Sequence, residues 1–169
     1  CIDIMKRATE QHGGTVVKTM GDENLATFSE CDAAVDAAAQ KQAAISGHPD
    51  LEVEGQHIAI RIGCHFGPVV LETRDVFGAA VHTANRMTSQ AKAGQVITTA
   101  ATVERLSPEW RASVRQIDVA TIRGQGGEVA LYEVLWQTDD VTSMLPAIAL
   151  TARDQRRRVR LLLTVQDRE

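Results

Sequence analysis

The sequence holds only three cysteines, Cys1, Cys31 and Cys64, an odd number without metal-like spacing. That argues against a disulfide framework and for reduced thiols in a cytoplasmic setting. Positive charge is not in surplus. Eighteen Lys and Arg against 22 Asp and Glu leave a net charge of −4, so the electrostatic footprint of a nucleic-acid binder is missing. No apolar run approaches the roughly 18 residues of a membrane span. No signal peptide precedes the first residue, which is Cys1 and not Met, and this reads as a start inside something larger. What is present is ordinary for a globular chain: 44% hydrophobic and 24% charged over 169 residues. That suffices for one domain with a sizeable core and a remainder too short to fold alone.

The chain is organised around His12 to Phe28, H-G-G-T-V-V-K-T-M-G-D-E-N-L-A-T-F. Thr15, Val16 and Val17 are β-branched and follow two glycines, which predicts a strand. Met20 to Asn24 reads as a turn cluster, with Gly21 free to take positive φ and Asp22 and Asn24 able to bond the local backbone. Leu25 to Phe28 returns as the second strand. The hairpin sets a carboxylate, Asp22, at its tip, four residues after Lys18. Because the turn intervenes, the two need not serve one pocket.

Residues 1–11 read as the end of a helix with Ile2, Met5 and Ala8 inward. Ser29 to His48 reads as a second helix, with Ser29 as N-cap, Asp32 as its capping-box partner, and a stripe of Ala34, Val35, Ala38, Ala39, Gln42 and Ile45. From Gln56 to Glu72 the pattern alternates, with Ile58, Ile60 and Ile62 on one face. Gly63 and Gly67 bracket Cys64-His65-Phe66, which suggests a strand, a bend and a second strand, with His65 structural. Phe77 to Ala93 is predicted as a helix stopped by Gly94, Val96–Thr99 as a strand and Ala100–Leu106 as a short helix. Trp110–Ile122 and Val129–Trp136 are predicted as two strands joined at the glycines 124, 126 and 127.

This order is an α+β, ferredoxin-like βαββαβ sheet with helices packed on it and extra C-terminal strands, lacking the strand that should precede Ile2. Residues 1–136 form the domain. Residues 137–155 lose periodicity and read as a linker, and 156–169 as a strand with no partner that opens a second domain. The arginines there read as a solvated segment before a nucleic-acid-binding tail.

Three stretches carry a resemblance: H-G-G-T-V-V-K-T-M-G-D at 12–22, R-I-G-C-H-F-G-P-V at 61–69 and D-V-F-G-A-A-V-H-T-A-N-R-M at 75–87. Together, in order, they resemble the catalytic domain of class III nucleotidyl cyclases, the adenylate and guanylate cyclases. The resemblance implies a set of roles. Asp22 matches one of two aspartates that hold two Mg²⁺ or Mn²⁺ ions; the other belongs to a strand before residue 1, so the chain as given does not assemble the pair. Lys18 and Asp75 match the positions that read the purine, and Lys with Asp there selects ATP, the ammonium donating to ring N1 and the carboxylate accepting from the 6-amino group. A guanine reader would carry Glu and Cys. Arg86 matches the arginine that stabilises the transition state on the phosphates. His82 stands where an asparagine usually positions the ribose. Arg123 stands where a lysine grips the terminal phosphates. Phe77-Gly78 matches a helix start that lies near the phosphates.

The family works as a head-to-tail dimer with sites at the interface, so one sequence carrying both halves implies a homodimer. The implied reaction converts ATP to 3′,5′-cyclic AMP and pyrophosphate without a covalent intermediate. The alternative is a catalytically degenerate regulatory and dimerisation module, motivated by His82 and by the missing N-terminal strand. A diguanylate cyclase fits less well, since Met20-Gly21-Asp22-Glu23-Asn24 departs from its G-G-[DE]-E-F hairpin. A ferredoxin-like module that binds a nucleotide without metal or catalysis is a third alternative. Residues 156–169 faintly resemble the opening strand of a forkhead-associated domain.

Overall fold

The computed structural model describes residues 1–53, 55–122, 126–137 and, as a backbone strand, 158–166. Helix α1, Ile2–Gln11, buries Met5, Ala8 and Thr9, while Ile2 stays on the surface, outside the expected stripe. The hairpin follows as β1, Thr15–Met20, and β2, Glu23–Phe28. Its turn is only two residues long. Met20 pairs with Glu23, and Gly21 sits at φ 58°, the sign such tight hairpins require. Asn24 therefore belongs to the strand and not to the turn.

Helix α2, Cys31–Ser46, starts after Glu30, without a side-chain cap. The expected capping box at Ser29 and Asp32 is not made. Asp32 instead accepts from the Ser107 N–H at 2.9 Å, and Asp36 from Trp110 Nε1 at 2.8 Å. These two carboxylates, one turn apart, tie α2 to residues 75 and 74 positions downstream. The helix buries Ala34, Val35, Ala38, Gln42 and Ile45 as its pattern predicts, but Ala39 is only half-buried and Lys41 is fully inside.

A small ribbon, β3 (Glu52–Val53) with β4 (Gln56–His57), leads into β5, Ala59–Gly67. β5 is one continuous strand, with no bend between its glycines. Gly63 answers a different need: a Cβ there would enter the backbone of the helix above it at Ala84 and Thr88. After β6, Val70–Glu72, and β7, Asp75–Phe77, that helix is α3, Ala79–Gln90, which ends four residues before Gly94. β8 is Val96–Thr99 and α4 is Ala100–Val103. The stretch expected to begin a strand at Trp110 is instead helical: α5, Pro108–Ala112, opens on Ser107 and Pro108, a favoured start. β9, Val114–Thr121, and β10, Glu128–Val134, follow.

The main sheet runs β1-β2-β11-β5-β8-β10-β9, where β11 is Arg158–Gln166. β11 was expected to lack a partner, and it has two. It lies parallel to both β2 and β5, at the sheet centre. α1 and α2 pack one face, over Ala26, Phe28, Ile60, Ile62, Cys64 and Val96. α3 packs the other face, with Met87 against Ile97 and Leu131. No helix among the described residues is long and apolar enough to cross a membrane.

Burial pulls the Lys41 ammonium from its ordinary 10.5 to about 7, and pushes the Cys64 thiol beside it up to about 12. Between those two lysine values the unfolded chain holds a proton that the folded chain has released. This site therefore adds stability as pH rises from about 7 to about 10.5, at most roughly 1.4 kcal/mol per unit. Replacing Lys41 with Met removes the buried charge. The expected gain at pH 7 is about 1–4 kcal/mol, measured as a higher urea midpoint, and the gain shrinks toward pH 10.

Candidate functional site

The site begins with an apolar wedge. Leu25 on β2, Val76 on β7 and Ala84 on α3 are buried together, flanked by Val17, Val69 and Val81. Each comes from a different element, so the wedge fixes the hairpin, the β6–β7 ribbon and α3 against one another. Leu25 pairs in register with Lys18, and Asp75 immediately precedes Val76. Seating the apolar residues thus brings the polar ones together.

Lys18 Nζ donates to Asp75 Oδ2 at 3.1 Å across 57 residues of sequence. The other oxygen, Oδ1, accepts from the Val76 backbone N–H at 2.9 Å. The bond from Val76, then the bond from Lys18, holds the Asp75 carboxyl below its ordinary range, against a smaller opposing cost of burial. Both side chains remain about a third exposed, at 37% and 33%. The ammonium keeps further donors free of this bond, and the carboxylate keeps spare lone pairs. Side by side at the surface, they present a donor and an acceptor to the edge of a planar heterocycle. The family resemblance groups Lys18 and Asp75 on one purine edge, and the hydrogen bond between them is what the structure adds.

α3 follows Gly78, which holds φ 138° against the Pro68 carbonyl. Its His82 and Arg86 are exposed and one turn apart, on a common face. Thr83, Ala84 and Met87 point inward. Asp22 lies exposed at the hairpin tip, as expected. Arg123 lies outside the described residues, as do residues 138–155 of the expected linker.

His65 is buried, its Nδ1 2.6 Å from the Thr99 hydroxyl, and burial draws its pKa down to about 4. A ring that stays neutral at ordinary pH and is bonded inside a continuous strand is structural, in agreement with the sequence reading. The residues that sequence reasoning missed are Lys41 and Asn24, both fully buried. The available signal was a lysine lying four residues from Ala37 and from Ile45, inside an apolar stripe.

Among the described residues, no group of three or more His, Cys, Asp or Glu side chains is gathered closely enough to hold a metal ion. Asp22 alone is one carboxylate on a turn, short of the oxygen donors that a hard divalent cation takes. The residues described here do not complete such a site.

With this geometry in hand, comparison with known proteins is informative. Residues 1–135 match the family described as the adenylate and guanylate cyclase catalytic domain. The chain belongs to that family. It is 37% identical over 95 residues to a protein of Rhizobium meliloti (strain 1021) named "Putative adenylate cyclase 3", a match that spans 56% of this chain and 16% of that protein's length. It also resembles the crystal structure of an adenylate/guanylate cyclase/hydrolase from Silicibacter pomeroyi, with a TM-score of 0.68, 26% identity and 79% of each chain covered. An adenylate cyclase structure from Trypanosoma brucei, solved in the monomeric state, shares the fold at a TM-score of 0.63 and 22% identity, over 79% of this chain and 74% of that one.

Two changes probe how the site is held. Gly63→Ala drives a methyl into the α3 backbone, and the expected loss is roughly 1–3 kcal/mol of stability by urea titration. Lys18→Met removes one of the two groups that keep the Asp75 carboxyl low. Its titration midpoint, followed by carboxyl-carbon NMR, is expected to rise yet stay below the ordinary range, since the Val76 bond remains.

Proposed function

We propose that this chain is the catalytic domain of an adenylate cyclase that converts ATP to 3′,5′-cyclic AMP and pyrophosphate for intracellular signalling. The observation that carries the reading is the exposed Lys18–Asp75 pair at 3.1 Å. An ammonium and a carboxylate side by side match the N1 acceptor and the 6-amino donor of adenine; guanine presents the opposite pattern at those two positions. Recognition by paired donor and acceptor is discriminating because the wrong base leaves buried polar groups unmatched.

The ribose 3′-oxygen attacks the α-phosphorus and pyrophosphate leaves, so positioning and charge stabilisation are the main catalytic needs. Arg86 stabilises charge on the phosphates, Arg123 holds the terminal phosphates and His82 orients the ribose. Cyclases of this family generally use divalent metals. Magnesium or manganese is the expected cofactor, with Asp22 as one ligand and further oxygen donors from outside the described residues. The working unit is a homodimer in which Asp22 of one protomer faces Lys18, Asp75, His82 and Arg86 of the other, in a cytoplasmic setting.

A second reading, a catalytically degenerate regulatory module, is favoured by His82, which stands where the family usually carries asparagine. Product analysis separates the two. The complete chain, including the strand expected before Ile2, is incubated with ATP or GTP and Mn²⁺, and cyclic nucleotide is measured by mass spectrometry. Cyclic AMP is the expected product. ATP binding with no product at high enzyme concentration establishes the second reading instead. In the catalytic case, Lys18→Glu combined with Asp75→Cys is expected to move the ATP-to-GTP preference by about a hundredfold toward GTP, read as the ratio of kcat/KM values.

A further inference from the structure

β5 presents two faces. Ile60, Ile62 and Cys64 belong to the core under α1 and α2. Gly63, His65 and Gly67 alternate with them and face α3. A Cβ on Gly63 would enter the α3 backbone at Ala84 and Thr88, and one on Gly67 would come within 2.8 Å of the Ala80 methyl. The helix thus rests on two bare positions, and His65 is the one side chain of β5 that stands between them.

The imidazole is held at both ends. Its Nδ1 lies 2.6 Å from the Thr99 hydroxyl on β8. Its Nε2 edge lies 3.2 Å from the point where a Gly67 Cβ would sit, the same space that Ala80 borders. Thr99 is the residue before α4, where a hydroxyl ordinarily caps the helix, yet it makes no cap bond there. The hydroxyl is given to His65 instead. The ring is 4% exposed, and burial keeps it neutral at ordinary pH. Backbone contact at the two glycines allows close approach but supplies no side chain to fix the helix along the strand. A closely packed ring in one orientation supplies it.

α3 carries His82 and Arg86 on its exposed face, whereas Lys18 and Asp75 stand on β1 and β7. A shift of α3 along β5 therefore moves the groups aimed at ribose and phosphates relative to those aimed at the base. We propose that His65 is a positioning residue for the cyclisation, a role that rests on the cyclase reading above. Bridging Thr99 and the first turn of α3, it sets where His82 and Arg86 stand relative to Lys18 and Asp75. It acts through the helix and touches no substrate.

The test compares wild type, Thr99→Val, His65→Leu, His65→Asn and the Thr99→Val, His65→Leu double variant, each as the complete chain. Cyclic AMP formation from ATP with Mn²⁺ is measured per folded protein. In Thr99→Val and His65→Leu, kcat is expected to fall about tenfold or more while KM stays within about twofold, since the base readers are untouched. The double variant should fall no further than the weaker single one, because the two groups act as a unit. His65→Asn, which keeps a hydrogen-bonding atom near the place of Nδ1, should recover most of kcat. Unchanged kcat in Thr99→Val, or losses that add in the double variant, overturns the proposal. Thr99→Val deletes a single hydroxyl, so it carries the test even if His65→Leu does not fold. Amide hydrogen exchange along residues 80–86, measured without nucleotide, reads the helix independently of activity. Exchange there should be about fivefold faster in Thr99→Val, and unchanged exchange also overturns the proposal. A wild type that makes no cyclic AMP, with the exchange response intact, fails the cyclase reading and not the placement of α3 by His65.

Discussion

The contact of Leu25, Val76 and Ala84 is the constraint on which the site depends. None of the three is polar and none would touch a nucleotide. Yet they belong to the hairpin, the β6–β7 ribbon and α3, and burying them fixes where Lys18, Asp75, His82 and Arg86 stand. The apolar contribution is the larger and less directional one. The Lys18–Asp75 bond is partly exposed and adds little to stability by itself. It is better understood as geometry delivered by packing than as a brace. The same division of labour holds on the far side of α3, where the missing side chain of Gly63 lets the helix backbone settle directly on β5.

The centre of the sheet follows a different logic. The backbone of β11 joins β2 to β5 by parallel pairing on both sides. Main-chain pairing is indifferent to side chains, and it accepts a leucine-rich strand here. Lys41 on α2 and Asn24 on β2 are both fully enclosed. Lys41 and Asn24 retain unmet hydrogen-bonding capacity in an interior that is otherwise well satisfied.

The family resemblance was legible because its three motifs depend on local chemistry. Gly21 at a two-residue turn, the alternation of β5 and the period of α3 each reflect residues close in sequence. The errors involve distant partners. Ser29 and Asp32 look like a capping box, but Asp32 is taken by Ser107, 75 residues away. Gly63 looks like a bend, but it marks contact with α3. The stretch at Trp110 has strand-forming residues, but Ser107 and Pro108 start a helical turn, and Asp36 anchors the indole. Asp32, Gly63 and the Trp110 indole each answer to a distant partner, while the helix start at Ser107 and Pro108 is itself a local signal.

The sequence by itself determined the class of fold, the hairpin that carries Asp22 at its tip, the helix that aligns His82 with Arg86, and the structural character of His65. These follow from backbone preferences and from the periods of strand and helix, which act over a few residues. Tertiary structure decided that Lys18 meets Asp75, that Lys41 is enclosed, and that β11 runs parallel at the sheet centre. Each of these joins residues separated by tens of positions, and only the burial of apolar surface from several elements at once selects such neighbours.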